Sequence, residues 1–201
     1  MKLIGMLDSP YVRRVAISLQ LLDLPFEHQS LSVFRTFDQF RQINPVVKAP
    51  TLVCDDGTVL MDSTLILHYA EALAGRSLLP AEPAALAPAL HTLGLALAAC
   101  EKAVQIVYER GLRPANKQHA PWMERVSGQL LAACDALEQA PPTAMDQAGV
   151  CTAVTWHFIQ QMVPDVVPAA RYPRLVAWSQ AAEATPAFAA APHGDSTYRA
   201  A

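Results

Sequence analysis

Three short stretches carry side chains in spacings suited to chemistry. The first is Asp8-Ser9-Pro10-Tyr11-Val12-Arg13-Arg14, between an apolar run at 2–7 and an amphipathic one at 15–22. Ser followed by Pro marks a helix start. The Ser side chain caps a backbone N–H, and Pro at the first helical position gives up a donor that had no partner. A hydroxyl is thus set at the positive end of a helix, beside a strand's carboxyl edge, where α/β sheets hold anions or thiolates. Taken alone, Ser9 reads as an N-cap; two further stretches shift that reading. In Val46-Val47-Lys48-Ala49-Pro50-Thr51-Leu52, Pro50 cannot donate to a strand ladder and holds Ala49 extended. It also lowers the cost of a cis bond to about 0.5–1 kcal/mol. The plain reading is an edge-strand proline. The functional one leaves the N–H and C=O of Ala49 to pair with an extended peptide ligand. The third stretch, Asp62-Ser63-Thr64, opens another helix with N-cap residue types.

The elements that must position these residues follow from periodicity. A strand at 2–7 leads to a helix from Pro10 to about Leu22, with Val15, Leu19 and Leu22 on one face. A strand at 26–31 and a short helix at 36–43 precede the break at Asn44-Pro45. Asp55-Asp56-Gly57 is a hairpin turn signal between strands at 51–54 and 58–61. The helix after Asp62 is expected to turn Leu65, Ile66, Tyr69, Ala70 and Leu73 inward, and Gly75 stops it. The order β-α-β-α-β-β-α describes a small sheet with a right-handed crossover and a closing hairpin. Beyond about residue 80 the chain turns Ala- and Leu-rich with helical periodicity throughout. Helices are expected at 84–111, from Ala120 or Pro121 to about 137, after Thr143-Ala144-Met145-Asp146, and after Tyr172-Pro173. Thr143 and Asp146 have capping-box spacing, with Asp where Glu or Gln is usual. The helix after them is apolar on most sides and so central. The expected domains are 1–80 and 84–201, the latter with a loosely held Ala/Pro/Gly/Ser-rich tail from about 189.

Composition narrows the function classes. With 201 residues, 52% of them hydrophobic, the chain can bury a substantial core, and its net charge of -3 includes no basic run. That argues against nucleic acid as a partner. The four cysteines contain no C-x-x-C, and the six histidines have no metal spacing, so no metal is expected. No signal peptide opens the chain, and the longest apolar stretch, 93–100, is short of the ~20 residues that span a bilayer. The expected setting is cytoplasmic, reducing and away from the membrane.

The set Ser9-Pro10-Tyr11, then Lys48-Ala49-Pro50-Thr51-Leu52 after Asn44-Pro45, then Asp62-Ser63, followed by an all-helical half with Thr-x-x-Asp, resembles the cytosolic glutathione transferase superfamily. The resemblance covers residues 1 to about 188. Ser9 looks like the serine type found among bacterial and plant members. It implies an α/β thioredoxin-like N-terminal domain that binds glutathione, plus an all-α C-terminal domain that supplies most of the wall for a small hydrophobic electrophile. Carried over by position, Ser9 hydrogen-bonds the glutathione sulfur, and Ala49, before a cis Pro50, pairs with the cysteinyl backbone. Asp62 holds the γ-glutamyl ammonium. Ser63 and its helix N-terminus hold the carboxylate, and Lys48 reaches a glutathione carboxylate. Tyr11 and Tyr108 are candidates for the electrophile pocket, and Thr143 and Asp146 match a structural capping box. The resemblance also implies a homodimer and a role in detoxification. Many members place an acidic residue on the long helix, near the glutathione amine across the dimer. Leu97 stands there in this chain, with Glu101 one turn on.

The chemistry is sound on physical grounds. A free thiol with a pKa of about 8.5 is only a few per cent thiolate at neutral pH. Lowering that pKa by two units takes about 2.7 kcal/mol of preferential thiolate stabilisation. A hydroxyl donor, helix-terminal N–H groups and nearby positive charge together supply it. Arg13 and Arg14 read as a solvated face or a dimer contact, with added positive field for the thiolate as the alternative. A competing function is a non-catalytic glutathione- or ligand-binding module on the same fold. A thiol-disulfide reductase needs a cysteine at the helix start, where Ser9 and Val12 stand instead.

Overall fold

Every regular element of the first 78 residues follows from the pattern above. The computed structural model describes residues 1–194 and 198. It contains β1 (Lys2–Ile4), α1 (Pro10–Leu21), β2 (Glu27–Gln29), α2 (Phe37–Ile43), β3 (Thr51–Val53), β4 (Val59–Met61) and α3 (Ser63–Ala74). The sheet order is β2-β1-β3-β4. The β1–β2 pair is parallel, with Leu3 opposite His28, and the β1–β3 and β3–β4 pairs are antiparallel. The β1-α1-β2 crossover forces the parallel pair, because a tight hairpin can join only antiparallel neighbours. Leu3, Ile4, Leu52, Val12, Val15, Ile17 and Leu19 are fully buried between the sheet and its helices. Ile4, Leu31 and Phe40 form a smaller cluster, with Ile43, Val47 and Ala49 packed on it. This is the mixed four-stranded, thioredoxin-like arrangement that the motif order implied.

The second unit, Leu79–Glu183, is built from α4 (Pro83–Leu112), α5 (Ala120–Gln139), α6 (Gln147–Met162) and α7 (Pro173–Glu183). The central helix is α6, as its apolar circumference required: Val150, Ala153, Val154 and Ile159 are buried on it. Small residues on α4, Ala96, Ala99 and Ala103, let its neighbours approach, and Val126, Leu130 and Cys134 of α5 join the same core. By length and composition α4 could cross a membrane. Leu93, Ala96, Ala99, Ala103 and Ile106 on it join the core shared with α5 and α6, while Leu90 and Leu112 are exposed.

Four expectations fail for identifiable reasons. The chain from Ala184 on does not stay with the helical unit but joins the first one. There α8 (Pro186–Ala189) buries Phe188 against α1, and Ala191 is fully buried. The part of the expected loose tail within the described residues is therefore packed. Residues 195–197 and 199–201 lie outside them.

Secondly, Arg13 and Arg14 are not a solvated face; they are 1% and 2% exposed. Arg13 Nε donates to Ala191 O at 2.7 Å, and its guanidinium lies 5.5 Å from the Phe188 ring centre. The C-terminal return covers what would otherwise be a wet stripe. Thirdly, α3 turns Ile66, Leu67 and Ala70 inward but leaves Leu65, Tyr69 and Leu73 exposed. Its sequence is apolar on both stripes, so periodicity could not choose between them. Finally, α6 begins at Gln147, with Asp146 itself as the N-cap, its Oδ1 accepting from Gly149 N at 2.9 Å. The expected capping box from Thr143 therefore does not form, and Thr143 is exposed.

Candidate functional site

The candidate residues of the first unit lie on three backbone segments: the N-terminus of α1, the loop ahead of β3 and the N-terminus of α3. Ser9 is the N-cap of α1. Its Oγ accepts from Val12 N at 3.4 Å, at the long end for a hydrogen bond, and Pro10 takes the first helical position. The residue is half-buried. Tyr11 follows in the first turn and is also half-buried.

Ala49 is brought close by Gly5. This glycine has φ +137°, and a Cβ on it would stand 2.6 Å from Val12 Cγ2 and 3.2 Å from Ala49 Cβ. Only glycine lets the exit of β1 lie against both α1 and the loop ahead of β3. The Ala49–Pro50 bond is cis. Neither the N–H nor the C=O of Ala49 has a hydrogen-bond partner among the described residues. Such groups are nearly always paired once away from water, so the partner of this half-buried peptide is water or a ligand.

Asn44 fixes that loop. It is 3% exposed; its Nδ2 donates to Thr51 Oγ1 at 2.8 Å, and its Oδ1 accepts from Val46 N at 3.0 Å. Thr51 Oγ1 in turn donates to Lys48 O at 2.7 Å. The sequence marked Asn44 only as a helix breaker. Its polarity inside an apolar neighbourhood was the signal that it had a second use. Lys48 itself is exposed.

Asp62 caps α3 with φ +73°, and its Oδ1 accepts from Thr64 N at 2.9 Å. A non-glycine residue in that region is uncommon and is tolerated best by Asp and Asn. Ser63 is 3% exposed. Arg14 Nη1 donates to Ser63 Oγ at 3.2 Å and to Thr64 Oγ1 at 3.3 Å. A buried guanidinium therefore underlies the positive end of α3. Both the cation and the helix terminus favour an anion there. Reading Arg14 as solvated missed this link. Tyr108 belongs to the second unit, on α4, and is 44% exposed. Among the described residues no group of His, Cys, Asp or Glu has the makings of a metal site.

The chain thus has a four-stranded thioredoxin-like unit with a helix-terminal hydroxyl and an anion-favouring helix start, and a separate helical unit. The sequence model of the glutathione S-transferase N-terminal domain matches residues 3–83. Glutathione S-transferase U4 of Arabidopsis thaliana is 25% identical over 189 residues, covering 88% of this chain and 81% of that protein. A glutathione S-transferase from Methylobacterium radiotolerans, in complex with glutathione sulfonate, superposes with a TM-score of 0.86 at 25% identity. It covers 94% of this chain and 92% of its own. A glutathione transferase family member from Pseudomonas fluorescens Pf-5, with bound glutathione, gives 0.84 at 27% identity, covering 96% and 98%. Residues 3–83 therefore match the glutathione S-transferase N-terminal domain, and the fold of the chain is that of the glutathione S-transferase structures it superposes on.

Proposed function

We propose that this protein is a glutathione transferase that holds reduced glutathione as its thiolate and adds it to small hydrophobic electrophiles. In this reading Ser9 keeps its proton and donates it to the glutathione sulfur. The thiol proton leaves to water, and the thiolate's lone pair forms the new C–S bond as the electrophile's leaving group, halide in an aromatic halide, departs with the electron pair of its broken bond. The helix N-terminus that Ser9 caps adds its partial positive charge. Ala49 pairs through its open N–H and C=O with the cysteinyl backbone. Asp62 takes the γ-glutamyl ammonium, while Ser63 and the first turn of α3 take the carboxylate, with Arg14 supplying charge from beneath. Lys48 meets the glycyl carboxylate. Tyr11 is the electrophile-side candidate of the first unit. An aromatic with one polar tip suits that role.

The observation that carries the reading is the peptide of Ala49, without a partner among the described residues and packed through Gly5 against Val12 of α1, the helix that Ser9 caps. The exposed stripe Leu65, Tyr69 and Leu73 on α3 supports the homodimer in the same reading. Calorimetric titration with glutathione, followed by an assay with an aromatic halide electrophile, tests it. Micromolar to millimolar binding with turnover is expected; binding without turnover reduces the protein to a glutathione-binding module, and absence of binding overturns the reading.

A further inference from the structure

His28 stands on the edge strand β2 and joins two parts of the first unit through its two ring nitrogens. Nε2 lies 2.7 Å from Gly5 O, and Nδ1 accepts from the backbone N–H of Tyr198 at 2.9 Å. A carbonyl can only accept and an amide N–H can only donate. Nε2 therefore carries the hydrogen and Nδ1 the lone pair, which is one tautomer of the neutral ring. The Tyr198 ring stacks on Phe26, next to the start of the same strand, with centroids 4.5 Å apart and planes 25° from parallel. The chain at Tyr198 is held to the sheet edge by one directed bond and one stacked pair.

We propose that the chain at Tyr198 is a proton-released strap: it docks on the edge strand while His28 is neutral, and lets go when Nδ1 of His28 is protonated.

Protonation replaces the only acceptor facing Tyr198 N–H with a second donor. The bond on the other side of the ring, to Gly5 O, becomes charge-assisted and tightens. The response is thus one-sided: the strap leaves while Gly5, in contact with Val12 and Ala49, stays in place. Burial holds the His28 ring below its ordinary pKa, with the Gly5 bond opposing in part. The docked form therefore binds its proton less readily than the released form. Docking is strongest above the ordinary histidine value of about 6.5 and is lost as pH falls below it. The other titratable groups on the packed elements are few. Lys2 on β1 pairs with Glu27 of β2 at 3.2 Å. Arg13 and Arg14 on α1 are engaged with Ala191 and Ser63. Tyr198 brings its own phenol, and His193 is a second imidazole in the C-terminal segment.

Hydrogen exchange of the full-length chain, read by mass spectrometry on the peptide containing Tyr198 and corrected for intrinsic pH dependence, tests the strap. Between about pH 8 and about pH 5 the wild type should lose about ten-fold protection in that peptide. The peptide holding Gly5 should keep its own. In His28→Gln, which stays neutral, the step should vanish, and in Tyr198→Ala protection should be low at both values. If His28→Gln fails to fold, the His28 ring resonances of the wild type must titrate with the midpoint of the exchange step. No step in the wild type, a step that persists in His28→Gln, one that disappears instead in His193→Ala, or unequal midpoints would overturn the proposal.

Discussion

The two units differ most in their backbones. Among the described residues, every one with positive φ lies in the first unit: Gly5, Asp23, Val47, Gly57, Asp62, Gly75 and Gly194. The helical unit has none among its described residues, and its core is built from small, aliphatic and aromatic side chains carried mostly on ordinary helices. Buried charge divides the same way, with Arg13 and Arg14 in the first unit and Glu109 in the second. Glu109 only closes a loop, accepting from His119 N and pairing with Arg113. Arg14 reaches the start of the helix to which ligand binding is assigned. Uncommon backbone conformations persist where surrounding structure over-determines them, and they gather at ligand clamps. The helical unit spends its sequence on packing; the first unit spends it on placing a few polar groups.

This contrast can be broken, starting with its largest expected effect. A Cβ at Gly149 would lie 2.1 Å from Ala144 O, a backbone atom that cannot step aside cheaply. Gly149→Ala should cost about 3 kcal/mol or more in denaturant unfolding and leave the glutathione affinity of the folded fraction unchanged. Gly5→Ala meets Val12 and Ala49 at φ +137°. It should cost about 2–3 kcal/mol and also weaken glutathione, because it displaces the Ala49 edge. If both glycine variants lose stability alone, the first unit's special backbone is structural only.

Asn44→Ala removes a buried amide that holds Thr51 and Val46. A loss of about 2 kcal/mol, with a several-fold rise in the KM for glutathione and little change in kcat, is expected from steady-state kinetics. Equal KM values would mean that the loop holds Ala49 without it. Asp62→Asn retains a cap for α3 and a residue type that tolerates positive φ, but removes the charge assigned to the ammonium. Titration should give about ten-fold weaker glutathione binding, or about 1.4 kcal/mol, with unfolding almost unaffected. The smallest effect concerns the cysteines, all four buried. Burial pushes the Cys134 thiol up to about 12 and raises Cys54 as well. A disulfide reagent at neutral pH should therefore label the native chain no faster than it unfolds. Rapid labelling of one thiol would reveal an opening in its unit.

Sequence reasoning reached what is local and periodic. Ser9-Pro10 and Asp62-Ser63 announce their helices by cap chemistry alone, and the turn at Asp55-Asp56-Gly57 needs no tertiary information. It failed where long-range contacts decide. Arg13 carries no mark of burial until Ala191 returns from 178 residues away, and Arg14 none until Ser63 arrives from 49 residues away. Nothing in an Ala- and Pro-rich tail states where it will land. On α3, both candidate stripes were apolar, and only the partner surface distinguishes Ile66 and Ala70 from Leu65 and Tyr69. Gly5 was simply a strand residue until the close approach of Val12 and Ala49 gave it a role.

The most direct test of the central claim is the ultraviolet thiolate absorbance of glutathione bound to the protein, titrated with pH in the wild type and in Ser9→Ala. The account predicts an apparent thiol pKa about two units below the free value of about 8.5 in the wild type. It predicts a return most of the way in the variant, with conjugation slowed about ten-fold or more. Bound glutathione that stays protonated at neutral pH, or the same titration in both proteins, would contradict it.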